Sequence, residues 1–313
     1  MIDLAALAAL RAVDHRGSVV GAADVLGYTP SAVSQQIKRL ERQSGVPLLE
    51  RVGRGVLLTA AGRQLVDDGG SLLEEMERIE AALHAGVATV AGHVRLTTFS
   101  TAMRGLVAPA ASALLAQHPG LRLTLAEEEP WDTVDLVARG QADVGLAHAW
   151  GDVPLAVPDH LAETVVGHDV AEVVLREDHP LARRDGVTPH DLADEPWVAT
   201  PPGTICREWL DRMHDGTGRR PRVVHQSREF ASHTAMVAAG LGIALVPRLG
   251  RAPLEPGLTT IEVTDPVPTR TVLAFHRRSQ AGSPAVAAVV AALARAWDGR
   301  PDAAPQNSAD ASS

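Results

Sequence analysis

The sequence predicts an α/β protein built from more than one domain, and three observations lead to this prediction. The first 85 residues carry mainly helical patterns of apolar residues, whereas short strand-like and helix-like segments alternate from Gly92 onwards. The chain has 313 residues, which is too many for one typical hydrophobic core. Hydrophobic residues make up 45% of the chain and charged residues 21%, so a folded globular protein is expected.

Two short helices are predicted at the start of the chain. The first spans residues 3 to 14 and turns one apolar face inward, with Leu4, Leu7, Leu10 and Val13. The second follows it closely. Ser18 suits its N-cap, and Gly27 suits the position just past its end.

A third helix begins after the N-cap Thr29, with Pro30 in its first turn, and its apolar residues Val33, Ile37 and Leu40 face inward. The second and third helices are joined by a tight turn, and the third has a polar and cationic outer face. This arrangement matches a helix-turn-helix, in which the later helix enters the major groove of DNA. A solvated surface helix is the alternative. The side chains predicted to contact DNA are Thr29, Pro30, Ser31, Ser34, Gln35, Lys38 and Arg42.

Two apolar runs around Gly53 and Gly55 predict a two-stranded wing, which carries Arg51 and Arg54 towards the DNA backbone. The net charge of -9 taken alone speaks against a nucleic-acid-binding protein. The stretch from residue 28 to residue 63, however, has six basic and two acidic residues, so its net charge is +4. A basic patch therefore lies close to the predicted helix-turn-helix.

A long helix is predicted from Thr59 to about Ala85. Apolar residues recur in it at alternating steps of three and four, with Gly69 in the series. This period of 3.5 residues is typical of a coiled coil and implies a partner helix, although packing on its own domain is the alternative. The predicted dimerisation residues are Leu65, Leu72, Met76, Ile79 and Leu83.

The rest of the chain alternates strands with helices, which predicts a mostly parallel sheet. The alternation includes a short helix near residues 190 to 194, and it ends with a strand at 269 to 277 and a helix at 284 to 297. Residues 301 to 313 are predicted to be disordered.

Four segments give the chain a family resemblance: residues 22–62, 176–182, 191–198 and 237–247. With them, the chain resembles the LysR-type transcriptional regulators over nearly its whole length. It departs from the usual pattern at Val20 and Leu49, where phenylalanine is common, and at Pro30 and Ser31, where Gln-Pro is frequent. These departures bear on wing packing and base preference.

The resemblance implies an α/β multidomain fold with an N-terminal winged helix-turn-helix, a long linker helix and a C-terminal two-lobed α/β domain of the periplasmic-binding-protein type (type 2). It implies a homodimer or dimer of dimers that binds a partly palindromic promoter site and responds to a small-molecule co-inducer between the lobes. The resemblance also allows RNA polymerase as a further partner.

The expected domains follow from this resemblance. The winged helix-turn-helix is expected at 1–59, the linker and dimerisation helix at 60–90, the effector-binding domain at 91–300 and the disordered tail at 301–313. Within the effector-binding domain, the first lobe is expected at about 92–162 and 268–299, and the second at about 163–267.

A ligand between such lobes would sit at the carboxyl ends of strands, near helix N-termini that favour anions. Ser100 and Thr101 also match the hydroxyl position usual in the family, although helix capping is the alternative for both. Arg104 and Arg228 could pair with a carboxylate ligand, and the acidic stretch 127–131 could receive an amine; solvated surface residues are the alternative. The predicted effector-binding residues are Ser100, Thr101, His148, Thr200, Gly203, Arg228 and Phe230.

Other classes of protein are less well supported by the sequence. No hydrolase, P-loop or zinc-protease motif is present, and the 13 histidines show no metal-ligand spacing, so neither an enzyme nor a metal or other cofactor is predicted. A secreted solute-binding protein would share the lobes, but the first residues lack a signal peptide. The single cysteine, Cys206, rules out an internal disulfide, so nothing argues for an oxidising compartment. No apolar run approaches the length of about 20 residues needed to cross a bilayer, so a cytoplasmic protein that makes no membrane contact is expected.

Overall fold

The computed structural model describes residues 2–52, 55–85, 90–151, 153 and 155–300. The chain divides into two compact units, Met1–Ala88 and Thr89–Ser313. Each unit has a hydrophobic core of its own.

In its described residues, the first unit contains four helices and a two-stranded wing, as predicted. Its elements are α1 (Leu4–Arg16), α2 (Val19–Leu26), α3 (Pro30–Ser44), β1 (Leu49–Val52), β2 (Gly55–Leu58) and α4 (Ala60–Ala85). The two strands are antiparallel.

Side-chain caps begin all four helices. The hydroxyls of Ser18 and Thr29 accept hydrogen bonds from backbone N–H groups of α2 and α3, and the Thr59 hydroxyl accepts one from Gly62 at 3.0 Å. Asp3 does the same for α1. The predicted caps are therefore confirmed, and the glycines that follow α1, α2 and α3 adopt the left-handed conformation that ends a helix.

The core of the first unit lies where α1, α2 and α3 meet the wing. One carboxylate fixes the connection between α3 and the wing: Glu41 Oε1 accepts hydrogen bonds from the backbone of Leu48 at 2.9 Å and of Leu49 at 3.2 Å. The wing is thus held at a set position beside α3. The buried apolar residues are Ala6, Ala9, Leu10, Ala12, Val13, Ala22, Ala23, Val33, Ile37, Leu40, Leu48 and Leu58.

The second unit is an α/β domain. Its strands are β3 (Gly92–Thr98), β4 (Leu121–Glu127), β5 (Val144–Trp150), β6 (Leu161–Arg176), β7 (Pro196–Ala199), β8 (Arg222–Gln226), β9 (Ala244–Pro247), β10 (Leu258–Ile261) and β11 (Thr269–Arg277). Its α-helices are α5 (Ser100–Ala102), α6 (Ala108–Gln117), α7 (Pro130–Ala138), α8 (Ile205–Met213), α9 (Phe230–Ala238) and α10 (Pro284–Asp298). A π-helical turn, Met103–Val107, joins α5 to α6.

The main sheet has seven strands in the order β10-β6-β11-β5-β3-β4, with β9 also paired to β6. Within it, β3 is parallel to β4 and β5, but the other pairs are antiparallel. The prediction of a mostly parallel sheet is therefore wrong for most of this sheet. The reason is that β11 runs between β5 and β6 in the direction opposite to both.

The strand β6 belongs to both lobes of the domain. Its residues 161–170 pair with β11, whereas residues 171–176 pair with β9 and β10. The first lobe contains β3, β4, β5, β11 and the first part of β6, and the second contains β7 to β10 and the rest of β6. The pairing partners of β6 change near residue 170. The lobe boundary expected at residue 162 therefore falls inside this continuous strand.

The short helix predicted near residues 190 to 194 is a series of turns. Asp191 Oδ2 accepts hydrogen bonds from the backbone N–H of Thr188 at 2.9 Å and from its hydroxyl at 2.8 Å. The backbone N–H groups of Asp191, Leu192 and Ala193 each bond to the carbonyl three residues earlier, and not four residues earlier as in an α-helix, so the prediction is wrong here.

A glycine permits close packing between β6 and α10. A Cβ at Gly167 would lie 1.9 Å from the indole Nε1 of the buried Trp297. We therefore expect Gly167→Ala to lower the free energy of unfolding by about 2–3 kcal/mol through overpacking. Urea unfolding followed by tryptophan fluorescence measures this, because all five tryptophans belong to the second unit.

The matched control is Gly216→Ala, since a Cβ there has nothing within 4 Å. We expect the free energy of unfolding of this variant to stay within about 0.5 kcal/mol of that of the parent protein. Equal stabilities for the Gly167→Ala variant and the parent would contradict the close packing.

In the described part of the chain, each helix is either too short or too polar to cross a lipid bilayer.

Candidate functional site

The outer face of α3 presents the polar side chains that the sequence predicts to meet DNA. Ser31, Gln35, Lys38 and Arg42 are exposed, and Ser34 is half-exposed. The buried face of the same helix holds Val33, Ile37 and Leu40 in the core. The helix is therefore anchored on one side and open to a partner on the other.

Two of the predicted DNA contacts differ from the rest of this face. The exposed Thr29 uses its hydroxyl to cap α3, accepting from Ala32 N at 3.2 Å, so its oxygen is already engaged. Pro30 is exposed in the first turn of the helix and offers only apolar contact. Arg39, which was not predicted, adds an exposed cation to α3 at 3.5 Å from Asp3.

The wing contributes a further cation. Arg51 lies on β1 with an exposed side chain. The predicted contact Arg54 lies outside the described residues. Arg63, another cation of the basic patch, donates to the carbonyl of Leu58 at 2.6 Å.

An apolar stripe runs along α4. Leu72, Met76, Ile79 and Leu83 are exposed to between 39% and 70%. Such exposure is costly for four large apolar side chains at helical spacing on one helix, so the stripe indicates a contact surface. Leu65 differs from them, because it packs against the core of its own unit. The exposed part of the predicted seam therefore begins at Leu72.

A cleft of about 270 Å³ lies between the two lobes of the second unit. Phe99, Ser100 and Thr101 line it from the end of β3, and His148 lines it from β5. The second lobe contributes residues near the start of α8 and α9. The full lining is Phe99, Ser100, Thr101, Glu127, Glu128, Glu129, Asp132, His148, Thr200, Thr204, Cys206, Arg228, Glu229, Phe230 and Arg270.

Six of the seven predicted effector-binding residues line this cleft. They are Ser100, Thr101, His148, Thr200, Arg228 and Phe230. The seventh, Gly203, does not line it: this glycine forms an exposed turn with a φ of +81° before the N-cap Thr204. Arg104 also lies outside the lining, at 3.6 Å from Glu229.

The floor of the cleft contains a buried ion pair that was not predicted. Asp169, Arg270 and Trp150 lie directly opposite one another on β6, β11 and β5, so their side chains share one face of the sheet. Arg270 Nε and Nη2 lie 2.9 Å and 2.8 Å from Asp169 Oδ2, and Nη2 also donates to the Thr101 hydroxyl at 2.7 Å.

Aromatic rings enclose this guanidinium. Its central carbon lies 5.0 Å from the ring centroid of Phe99 and 5.8 Å from that of Trp150. Arg270 is fully buried, and its Nη1 has no hydrogen-bond partner among the described residues. A sequence signal for Arg270 did exist, because it shares the inward face of β11 with Val272 and Ala274.

His148 and Cys206 meet on the same floor, with His148 Nε2 4.0 Å from Cys206 Sγ. Burial and the charge of Arg270 hold the pKa of His148 well below its usual value, so the imidazole is uncharged at neutral pH. Burial also raises the pKa of the Cys206 thiol to about 11. The thiol is therefore protonated at neutral pH and is a weak nucleophile.

The mouth of the cleft is acidic. Burial, then repulsion by Glu229, raises the pKa of Glu127. Burial also raises the pKa of Glu129, and together with repulsion from Asp132, Glu127 and Glu229 it outweighs the opposing charge of Arg228. Burial and the neighbouring carboxylates therefore destabilise the charged forms of Glu127 and Glu129.

Two family models together match nearly the whole chain. The model described as "Bacterial regulatory helix-turn-helix protein, lysR family" matches residues 4–63, and that of the "LysR substrate binding domain" matches residues 88–298. The second match alone covers more than half of the chain. The chain belongs to the LysR family of transcriptional regulators.

Named relatives of this LysR-type regulator agree with the assignment. A "Small neutral protease regulatory protein" of Streptomyces coelicolor is 30% identical over 283 residues, covering 89% of this chain and 83% of the relative. The regulator XapR of Escherichia coli is 27% identical over 272 residues, covering 87% and 90%. The relatives and the domain models are those of transcriptional regulators, so the chain is a regulator and not an enzyme.

Solved structures of full-length LysR-type proteins share the fold. A full-length OxyR variant of Pseudomonas aeruginosa has a TM-score of 0.72 at 20% identity, with 94% of this chain and 98% of that one covered. CbnR complexed with its target DNA has a TM-score of 0.55 at 19% identity, with 94% and 99% covered.

Proposed function

We propose that this LysR-type regulator binds a partly palindromic promoter site as a homodimer or dimer of dimers, and that a small co-inducer bound between the lobes controls it. The observation that carries the proposal is the exposed polar face of α3, held by a buried apolar face beside a wing that carries the exposed Arg51. A regulator of bacterial promoters works in the cytoplasm, where this chain is proposed to act.

The residues of α3 suit base recognition in the major groove. The groove admits an α-helix, and the amide of Gln35 can pair with adenine while Lys38 can donate to guanine. Arg51 on the wing and Arg42 at the end of α3 suit phosphate oxygens, which fix the position of the protein but carry no sequence information. The acidic net charge is thus compatible with DNA binding through one local basic surface.

The exposed stripe on α4 supports self-association. Its four apolar side chains repeat with the period of a coiled coil, and a second copy of α4 would cover them. A dimer presents two α3 helices, so a two-fold symmetric protein matches a site with two similar halves.

The buried ion pair supports a coupling between the cleft and the lobes. Asp169 Oδ1 accepts from the backbone N–H of Leu249 at 2.9 Å, while its other oxygen holds Arg270. These contacts lie where β6 passes from one lobe to the other. A ligand that contacts Arg270 in only one arrangement of the lobes would shift the equilibrium towards that arrangement. The shift in free energy equals the difference between the ligand's binding free energies for the two arrangements.

Affinity selection of fragmented host DNA with the purified full-length protein tests the proposal. We expect enrichment of a few intergenic fragments that contain a dyad, at near-physiological salt. Uniform recovery of all fragments, or recovery of none with or without a cell extract of small molecules, would contradict it.

Two substitutions separate base reading from phosphate binding. We expect Gln35→Ala to weaken binding to the selected site by about 1–3 kcal/mol and to leave binding to random DNA unchanged, because only base contacts are lost. We expect Arg51→Ala to weaken binding to both DNAs and to reduce the salt slope by about 1. Fluorescence anisotropy at several salt concentrations measures both effects.

The exposed Gln64→Ala on α4 serves as the control for these variants. Equal losses on the selected site and on random DNA for Gln35→Ala would show that Gln35 does not read bases.

A further inference from the structure

The floor of the cleft offers hydrogen-bond donors that nothing in the described protein satisfies. Arg270 is fully buried and His148 is 2% exposed, and both line the cleft. Arg270 Nη1 and His148 Nδ1 are buried without a hydrogen-bond partner among the described residues. Buried polar groups are almost always paired, so an acceptor on a ligand in the cleft would satisfy these two nitrogens.

The group that would satisfy Arg270 Nη1 is an acceptor. A guanidinium nitrogen can only donate, and a carboxylate oxygen is the acceptor that pairs with it most strongly. The uncharged His148 can donate from Nδ1 when Nε2 accepts from the Cys206 thiol, which lies 4.0 Å away. Ser100 also lines the cleft and carries a hydroxyl, so a carboxylate with two oxygens has several donors to meet.

The mouth of the same cleft has the opposite character. Its lining includes five carboxylates, those of Glu127, Glu128, Glu129, Asp132 and Glu229. The two arginines near them form loose contacts, each 3.6 Å long: Arg228 with Glu129, and Arg104 with Glu229. The carboxylates therefore outnumber the cations that face them, and a positive group on the ligand would relieve their repulsion.

Neither a simple anion nor a simple cation fits both ends. A ligand with carboxylates alone would meet repulsion at the mouth, and an amine alone would leave the floor donors unpaired. We propose that the cleft binds an amino acid or a close analogue, a small zwitterion whose carboxylate meets Arg270 and His148 while its ammonium group faces Glu127 and Glu129. This inference rests on the proposed function, since it names the class of the proposed co-inducer.

Thermal unfolding of the full-length protein tests the ligand class. The probes are the twenty standard amino acids, β-alanine and γ-aminobutyrate, each added separately. We expect at least one of them to raise the unfolding temperature. Calorimetric titration then compares the best probe with the same molecule lacking its amine and the same molecule lacking its carboxylate, and we expect each to bind at least about tenfold more weakly.

A double variant tests the orientation. We expect Glu127→Gln with Glu129→Gln to weaken binding of the amino acid about tenfold, because the partners of its ammonium group are lost. Binding of the analogue without an amine should stay the same or become tighter, because repulsion falls. Glu255→Gln, an exposed carboxylate away from the cleft lining, is the control and should change neither affinity.

The inference is overturned if no probe raises the unfolding temperature, or if the analogue without an amine binds as tightly as the amino acid. Selection of DNA with the same protein separates this failure from a failure of the proposed function. Protein that selects a dyad-containing site but binds no zwitterion contradicts the inference alone. Protein that selects no site contradicts the proposed function, whatever its cleft binds.

Discussion

Replacing Met76 and Ile79 of α4 with arginine is expected to weaken operator binding by about a hundredfold or more. Both side chains belong to the exposed apolar stripe. Two charges at the centre of a helix-helix seam would have to be buried against like charges of the second copy, so the dimer dissociates. Each monomer then binds one half-site without the gain from linkage, which is typically about 10²–10⁴ in affinity.

Sedimentation analysis and fluorescence anisotropy on the selected operator measure the two parts of this prediction. The control is Asp67→Asn with Glu74→Gln, which raises the net charge of α4 by the same amount on the opposite face of the helix. We expect the control to stay a dimer and to keep its affinity. A Met76→Arg and Ile79→Arg protein that remains dimeric would place the contact between copies elsewhere.

Arg270→Met is expected to lower the free energy of unfolding of the second unit by about 3–5 kcal/mol. The change leaves the carboxylate of Asp169 buried, 3% exposed, without its cation. Asp169→Asn should be destabilising for the same reason, because the guanidinium then lacks its anion. The double variant Arg270→Met and Asp169→Asn should have a free energy of unfolding at least about 2 kcal/mol higher than that of Arg270→Met alone, since no unpaired charge is left.

Urea unfolding followed by tryptophan fluorescence measures all three proteins. The exposed Arg122 on β4 provides the control, and Arg122→Met should stay within about 0.5 kcal/mol of the parent. If the losses of the two single variants simply add in the double variant, the two side chains are not coupled in the folded protein. Buried pairs are often no more stabilising than apolar residues, so the location of this pair under the cleft favours a role in ligand binding.

Local chemistry accounts for the elements of the first unit that the sequence predicts correctly. Ser18 and Thr29 cap their helices through backbone groups three residues away, and Gly27 ends α2 through its own backbone angle. Each of these interactions lies within a few neighbouring residues, so the order of residues is enough to reveal it.

The sheet of the second unit depends on pairings that the order of residues does not reveal. The strand β10 was not predicted, and its four residues pair with the far end of β6. The mixed direction of the sheet likewise follows from the position of β11 between β5 and β6. A strand pattern shows which faces are apolar, but it does not show which strand lies alongside or in which direction.

The residues of the cleft likewise fall into those that the sequence predicts and those that it does not. Strand ends and helix starts are local features, and they are sufficient to predict Ser100, Thr101 and His148. Arg270 and Asp169 are 101 residues apart, and only the folding of β11 against β6 brings them together. The sequence determines the family, the helix-turn-helix and the polar face of α3, because these follow from short-range patterns. The buried charge on the cleft floor, and the position of the acidic stretch 127–129 opposite it, are decided by tertiary packing, because burial and distance between remote residues exist only in the folded chain.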